Sequence, residues 1–162
     1  MRVEKKEILE KISLILKDKK LTVASAESCS GGLIAHTLTN ISGSSEYFDR
    51  GIVSYSNKAK VELLDIPKET IEKYGAVSEQ VANAMAEEIR KKAGVDIGIS
   101  TTGIAGPTGG TKEKPVGLVY IGLSTKDKTN VEKHQFLGTR LKNKTKTCNA
   151  ALEMLYNYLK TV

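Results

Sequence analysis

The residues best suited to covalent chemistry stand together in one short stretch of the sequence. Ser28, Cys29 and Ser30 carry hydroxyl or thiol groups, and Gly31 and Gly32 follow them directly. An apolar, strand-like segment precedes this stretch and a helical pattern follows it, so these residues lie at a strand-to-helix turn. A turn of this kind exposes nucleophilic atoms beside free backbone N–H groups, which suits an active site.

The same stretch also has a purely structural interpretation. Ser30 would cap the following helix, and the two glycines would let that helix approach the sheet closely. The local sequence supports both interpretations equally. Adjacent residues on one turn point in different directions, so only one of Ser28 and Cys29 can face a crevice, and Cys29 remains an alternative nucleophile.

A serine nucleophile needs a base, because a free hydroxyl is a poor nucleophile near neutral pH. His36 lies inside a helix about two turns beyond Ser28, and His134 lies in a predicted edge strand, so both are interpreted as surface histidines. A neutral lysine accepts the proton if burial lowers its pKa by about three units from about 10.4. Lys60 borders the apolar face of a short predicted helix, whereas Lys58 faces solvent.

Hydrophobic periodicity predicts helices that alternate with strands in the first half of the chain and strands that follow one another in the second half. Helices are expected over about 4–19, 30–40, 57–64, 67–75, 78–94 and 143–160, with Asn57 and Ser78 as two of the N-caps. Strands are expected over about 21–26, 48–56, 95–99, 116–123 and 130–137, the fourth buried on both faces and the fifth at an edge. We therefore expect an α/β fold, a three-layer α/β/α sandwich with a mixed sheet, forming a single domain over residues 1–162.

Three loops follow predicted strands, over residues 27–32, 56–58 and 102–110. Ligands in α/β folds gather outside the carboxyl ends of strands, so these loops are expected to share one crevice. The third loop contains Thr102 and four glycines, but no established dinucleotide or P-loop fingerprint is present. It is either a backbone nest for an anion or a flexible surface loop.

Composition narrows the function classes further. The chain has 162 residues, a net charge of +6 and a sequence pI near 9.2, with much of the basic surplus in dispersed lysines. Only two Phe and no Trp are present, which disfavours nucleic-acid binding. Cys29, Cys148 and the two histidines lack metal-ligand spacing, so no metal is expected. No apolar run suggests a membrane span and no signal peptide is recognisable, so we expect a cytoplasmic protein.

Several sequence blocks identify a resemblance when they are taken together. They are Ala26-Glu27-Ser28-Cys29-Ser30-Gly31-Gly32, Arg50-Gly51 with Tyr55-Ser56-Asn57 and Lys60, Gly75-Ala76-Val77-Ser78, Gly103-Ile104-Ala105-Gly106-Pro107 with Gly109-Gly110, and Lys114-Pro115-Val116-Gly117. With these blocks in this order over most of its length, the chain resembles the CinA C-terminal domain family. Members of that family that stand alone are nicotinamide-nucleotide amidases.

The resemblance implies hydrolysis of the amide of nicotinamide mononucleotide, giving nicotinate mononucleotide and ammonia. It implies Ser28 as the nucleophile, Lys60 as the base, and Tyr55 as a residue that orients the lysine or the substrate. The substrate-binding candidates that follow from it are Glu27, Ser30, Gly31, Gly32, Thr102, Gly103 and Arg140. Among them, the backbones of Gly31 and of Thr102-Gly103 are candidates for oxyanion and phosphate contacts, and Arg140 for the phosphate.

The resemblance implies no cofactor and a small-molecule nucleotide as the binding partner, and it leaves open a homo-oligomer. The family usually has threonine where this chain has Ser30, so a hydroxyl is retained. Longer CinA proteins carry an additional N-terminal domain that is not recognisable here, and its activity is not transferred. The alternative function is a non-catalytic nucleotide- or partner-binding module linked to competence or DNA damage. The role of Glu27 stays open between pairing with a lysine and binding substrate.

Overall fold

The computed structural model describes the backbone of residues 3–162 and the side chains from residue 6 onward; residues 1 and 2 of the predicted domain lie outside this part. Helices and strands alternate at first, and three strands follow one another in the second half of the chain, as predicted. The helices are α1 (Val3–Lys19), α2 (Leu33–Leu38), α3 (Asn57–Leu64), α4 (Lys68–Tyr74), α5 (Glu79–Ala93) and α6 (Arg140–Leu159). The strands are β1 (Val23–Glu27), β2 (Phe48–Val53), β3 (Ile97–Gly103), β4 (Leu118–Ser124) and β5 (Thr129–Gln135).

The five strands form one mixed sheet in the order β2-β1-β3-β4-β5. Strand β1 runs parallel to both β2 and β3, and Ser25 pairs with Gly51 on one side and Ile99 on the other. Strand β4 runs antiparallel to β3 and to β5. The carboxyl ends of β1, β2 and β3 therefore meet at one edge of the sheet, which is where the chemistry-bearing loops begin.

Helices cover both faces of the sheet and complete the three-layer α/β/α sandwich. On one face, α1, α2 and α6 pack their apolar side chains against Val23 and Ile99. On the other face, α3, α4 and α5 pack against Ala24 and Ala26. Successive residues of β1 thus point to opposite layers. All five residues of β1 are buried, so the strand holds the position of Ser28, the residue that follows it.

Glycine allows α5 to lie very close to the sheet. A Cβ on Gly98 would overlap the Ala86 carbonyl oxygen of α5. Two residues further along β3, the Ser100 hydroxyl donates to the Ala82 carbonyl at 2.6 Å. The helix is therefore docked on β3 by backbone approach as well as by apolar contact, and it supports the strand from which the third loop leaves.

Two predicted features of the turn after β1 are wrong. The helix begins at Leu33 rather than near residue 30, because Gly31 and Gly32 have positive φ angles of 62° and 90° that no helix accommodates. Ser30 does not cap α2, since Gly32 occupies the N-cap position without a side-chain hydrogen bond. The hydroxyl of Ser30 is instead bonded within the core.

Two other helix starts also differ from the prediction. The N-cap of α3 is Ser56 rather than Asn57, and its hydroxyl accepts from the Ala59 amide at 3.0 Å. Helix α6 begins at Arg140 rather than at 143, because the hydroxyl of Thr139 caps it. This earlier start brings the first turn of α6 into the vicinity of the site. The predicted cap Ser78 of α5 is confirmed.

The basic surplus lies largely on solvated helix faces. Exposed lysines pair with glutamates one turn away, as in Lys58–Glu62 at 3.5 Å and Lys68–Glu72 at 3.4 Å. The prediction that Lys58 faces solvent is confirmed. Within residues 3–162, none of the helices has the combination of length and apolar character that crossing a membrane requires.

Candidate active site

The three loops predicted to converge do meet, in a cleft of about 200 Å³ at the carboxyl ends of the parallel strands. Its lining residues come from all three loops and from the α4–α5 connection: Ser28, Cys29, Tyr55, Asn57, Lys60, Ala76, Val77, Thr102, Gly103 and Ala105. Sequence reasoning did not predict Ala76 and Val77 as site residues. The signal was available, because both belong to one of the sequence blocks that carry the family resemblance.

Lys60 and Ser28 are in hydrogen-bonding contact at the base of this cleft. The Nζ atom of Lys60 lies 3.0 Å from Ser28 Oγ. It also lies 2.9 Å from the carbonyl oxygen of Ser54 and 3.3 Å from that of Tyr55. These carbonyls belong to the segment that leaves β2, while Lys60 itself is on α3. Only 1% of the surface of Lys60 is exposed.

The environment of Lys60 destabilises its charged form. Burial lowers the pKa of the Lys60 ammonium from 10.5 to about 8, because the charged form loses its hydration. A neutral amine has two N–H groups and one lone pair. As an ammonium, Lys60 Nζ donates to the Ser54 and Tyr55 carbonyls and to Ser28 Oγ. In the neutral amine, the two carbonyls take up the two N–H groups, and the lone pair is then available to the hydroxyl of Ser28. This is the arrangement required for a base that receives the serine proton.

Cys29 is arranged differently from its neighbour. The residue is buried, and this burial raises the pKa of its thiol to about 11, although a hydrogen bond with Thr101 opposes the shift. A thiol with so high a pKa carries little thiolate near neutral pH. Ser28, in contrast, is held by its amide, which donates to the Thr101 carbonyl at 2.9 Å and extends the β1–β3 pairing by one residue. Of the two adjacent candidates for the nucleophile, Ser28 is therefore the one whose side chain contacts Lys60.

Glu27 is fully buried beneath the turn and does not line the cleft. Its carboxyl group accepts from the amides of Ile34 at 3.0 Å and Ala35 at 2.8 Å, in the first turn of α2. The hydroxyls of Ser30 and Ser25 donate to it at 2.7 and 3.3 Å. Glu27 thus caps α2 from the preceding strand, the role that the sequence suggested for Ser30.

The remaining small residues of the two loops have distinct positions. The amide of Gly31 donates to the Ser28 carbonyl at 3.1 Å, so it closes the turn instead of pointing freely at a ligand. Gly32 lies on the α2 side of that turn. Thr102 and Gly103 line the cleft, and the Thr102 hydroxyl donates to the Ala76 carbonyl at 2.7 Å, which ties the third loop to the α4–α5 connection.

Tyr55 and Arg140 form one rim of the cleft. Tyr55 contacts Lys60 through its backbone carbonyl, while its side chain is 56% exposed and its phenol oxygen accepts a hydrogen bond from Arg140. The same guanidinium donates to the Gly106 carbonyl at 2.8 Å. One turn further along α6, Asn143 donates to the Ala105 carbonyl at 3.0 Å. Helix α6 thus holds two consecutive carbonyls of the third loop, and Asn143 was not recognised from the sequence.

The two histidines stay outside this arrangement. His36 is an exposed residue of α2, and His134 lies on the edge strand β5, where its Nε2 is 3.0 Å from Glu132. Neither lines the cleft with Ser28. The sequence did not reveal Glu132 as the neighbour of His134. Both residues lie on β5, which is separated from β1 in the sheet by β3 and β4.

Comparison with known proteins identifies the family. The sequence model of the CinA C-terminal domain matches residues 5–159. A competence-damage inducible protein of Thermoanaerobacter pseudethanolicus is 52% identical over 157 residues, which cover 97% of this chain and 38% of that protein. A CinA-like protein of Kosmotoga olearia is 52% identical over 150 residues, covering 92% of this chain and 36% of that protein. The chain therefore spans little more than a third of the length of these relatives.

Solved structures agree with this assignment. The competence/damage inducible protein CihA of Agrobacterium tumefaciens superposes with a TM-score of 0.94 at 38% identity, covering 99% of this chain and 98% of that one. A CinA superfamily protein of Klebsiella pneumoniae superposes with a TM-score of 0.93 at 28% identity, covering 98% and 99% of the two chains. The similarity thus extends over the whole sandwich, including every element that contributes to the cleft.

Proposed function

Because this chain belongs to the CinA C-terminal domain family, which includes amidases, we propose that it is a nicotinamide-nucleotide amidase with a Ser28–Lys60 dyad. Its reaction would convert nicotinamide mononucleotide and water to nicotinate mononucleotide and ammonia. The observation that carries this proposal is the contact of 3.0 Å between Lys60 Nζ and Ser28 Oγ, made by a buried lysine whose pKa is lowered to about 8. A serine beside a lysine with so low a pKa is a combination suited to acyl transfer.

In the first half of the reaction, Ser28 Oγ attacks the carboxamide carbon while its proton passes to Lys60 Nζ. The resulting ammonium keeps both carbonyl contacts, from Ser54 and Tyr55, and therefore stays in place. When the tetrahedral intermediate collapses, the C–N bond breaks and Lys60 returns the proton to the departing nitrogen. Ammonia leaves and an ester remains on Ser28.

In the second half, Lys60 is neutral again and accepts a proton from a water molecule, whose oxygen attacks the ester carbon. The C–O bond to Ser28 breaks, Lys60 returns the proton to the serine oxygen, and the product leaves as a carboxylic acid that releases its remaining proton to solvent, giving nicotinate mononucleotide. A single base thus serves both halves. Lys60 can do so because it carries no paired carboxylate among the described residues, which would hold it in the charged form.

The negative oxygen of each intermediate needs a donor. The amide of Gly31 is used within the turn, by its bond to the Ser28 carbonyl. The amide of Cys29 directly follows the nucleophile at the cleft wall; it has no carbonyl partner among residues 3–162 and is engaged by its own thiol instead. We therefore assign Cys29 N–H as the first oxyanion donor of the proposed mechanism, with the backbone of Gly103 opposite.

The proposal is tested by assaying ammonia release from nicotinamide mononucleotide. We expect Ser28→Ala and Lys60→Met each to lower kcat/KM by about 10³-fold or more, and the double variant to be no worse than either, because the two groups act as one unit. Cys29→Ala and Lys58→Met are the matched controls and should keep their activity. Lys58 lies on the same helix as Lys60 but its charge is solvated and paired with Glu62.

Thermal unfolding of every variant shows whether a loss of activity reflects a loss of structure. Full activity of Ser28→Ala or Lys60→Met would rule out the dyad, and loss of activity only in Cys29→Ala would move the nucleophile to the thiol. Tight binding of the nucleotide by the wild-type protein without any ammonia release would instead support the alternative, a non-catalytic nucleotide-binding module.

A further inference from the structure

A second cavity, of about 340 Å³, adjoins the turn that carries Ser28 and has no part in the dyad chemistry. It lies between this turn and the first two turns of α6. Its lining includes Gly31, Gly32, His36, Leu141, Lys144 and Thr145. We call it the α6 cavity.

The α6 cavity and the catalytic cleft are lined by successive residues of one turn, because Ser28 and Cys29 line the cleft and the next residues, Ser30 and Gly31, line the α6 cavity. The amide of Gly31 is 3.1 Å from the carbonyl oxygen of Ser28, so the glycine lies within one turn of the nucleophile. On α6, Arg140 reaches the cleft rim and Lys144, four residues later, reaches the α6 cavity. Residues four apart on a helix share one face. The turn that carries Ser28 therefore separates the catalytic cleft from the α6 cavity.

The α6 cavity has the charge of an anion site. Neither aspartate nor glutamate lines it. The half-buried Lys144 has its Nζ atom 3.1 Å from the position that a Cβ on Gly31 would occupy, which places the ammonium over a residue with no side chain. The side-chain ammonium of Lys144 forms no hydrogen bond or ion pair with another described residue. Lys146, its neighbour on α6, donates to the Leu137 carbonyl at 2.8 Å.

Size points in the same direction. Pockets that hold small molecules commonly measure roughly 300–1,000 Å³, and the catalytic cleft, at about 200 Å³, lies below this range. The cleft suffices for an aromatic amide placed at Ser28. The ribose and phosphate then need room outside it, and the α6 cavity is the adjoining space with an unneutralised cation.

Arg140, the phosphate ligand expected from the sequence, is committed elsewhere. Its guanidinium donates to the Tyr55 phenol oxygen and to the Gly106 carbonyl. We propose that the α6 cavity is the phosphomonoester subsite, that Lys144 is its cation, and that Arg140 is a positioning residue for the cleft rim. This inference rests on the proposed function for the identity of the nucleotide, whereas the anion site itself follows from the lining of the cavity.

The experiment compares nicotinamide mononucleotide with nicotinamide riboside, which lacks the phosphate, in three variants. Lys144→Gln should raise KM for the mononucleotide by about 10- to 100-fold, the range of a lost charge-assisted hydrogen bond, with little change in kcat. Its kinetics with the riboside should equal those of the wild type. Lys144→Arg should restore most of the affinity, and Lys142→Gln, which removes the same charge from the exposed side of α6, should change neither substrate's KM.

A binding measurement separates this inference from the proposed function. Ribose 5-phosphate is titrated calorimetrically into the wild-type protein and into Lys144→Gln, and binding should be lost in the variant. Lys144-dependent binding of ribose 5-phosphate by a protein that releases no ammonia would support the subsite and refute the amidase. An active amidase in which Lys144→Gln changes neither KM nor ribose 5-phosphate binding would overturn the subsite alone, and so would equal losses with both substrates.

Discussion

Two regions next to Ser28 each bury an ionisable side chain, and they treat it in opposite ways. Below the turn, Glu27 is fully buried and is surrounded only by donors, namely two hydroxyls and two amides of α2. In the cleft, Lys60 is equally removed from solvent but is met by two carbonyls and the hydroxyl of Ser28.

The difference lies in which protonation states the neighbours accept. Four fixed donors around Glu27 match a carboxylate and leave it no role beyond holding α2 against β1. The neighbours of Lys60 suit both of its forms, because the Ser28 hydroxyl either accepts from an ammonium or donates to an amine. Burial therefore produces a structural anchor at Glu27 and, at Lys60, an amine whose neighbours suit both of its protonation states.

Removing the anchor should have the largest effect on stability. Glu27→Leu leaves two hydroxyls and two amides without their buried acceptor, and we expect it to lower the free energy of unfolding by about 3–5 kcal/mol. Urea denaturation measures this loss. Glu62→Leu is the matched control on a solvated face, where loss of an exposed ion pair should change stability by less than about 1 kcal/mol. A loss as small as the control's in Glu27→Leu would show that Glu27 is not an anchor.

Lys60 should show the opposite behaviour, a cost to stability that disappears as pH rises. Its pKa is about 8 in the folded protein, against 10.5 for an unperturbed lysine such as that of the unfolded chain. Between these two pH values the unfolded chain binds more protons, so the free energy of unfolding increases with pH, by about 3 kcal/mol in total. Below pH 8 both states are protonated and this contribution is flat.

The measurement is the difference between wild type and Lys60→Met in urea denaturation over this pH range, which cancels the titration of all other groups. From pH 8 upward, the free energy of unfolding of the wild type should increase relative to that of the variant. A pH-independent difference would mean that the lysine titrates normally despite its burial.

The sequence alone predicted those features of the site that depend on helical spacing and on the order of strands and loops. Helical spacing placed Lys60 at the border of a buried face, and the strand-end rule brought its loop to that of Ser28. The role of Glu27 was within reach of the same rules, because it shares the α1–α2–α6 side of β1 with Val23 by simple alternation. The role of Glu27 was missed because Ser30 also looked like a suitable N-cap for the helix.

Other features depend on contacts between distant parts of the chain. Tyr55 and Arg140 are 85 residues apart and meet only because α6 crosses the carboxyl ends of the strands. Lys144 gains its significance from the packing of α6 over Gly31, a position at which no side chain is present to suggest a contact. Neither propensity nor periodicity contains such information. The family resemblance therefore named Tyr55 and Arg140 but not the contact between them, and it did not name Lys144.

The pH dependence of catalysis tests the second region with the smallest but most specific effect. Because Lys60 must be neutral to accept the Ser28 proton, kcat/KM should rise about tenfold per pH unit below the lysine pKa of about 8 and level off above it. Ammonia release measured from about pH 7 to about pH 9.5 avoids titration of the substrate phosphate, whose second pKa is about 6. Lys58→Met should keep this profile, and Lys60→Arg, which cannot deprotonate in this range, should remove both the activity and the rise. A rate that is flat through pH 8 would mean that the buried amine is already neutral or is not the base, and the contrast between Lys60 and Glu27 would then concern stability alone.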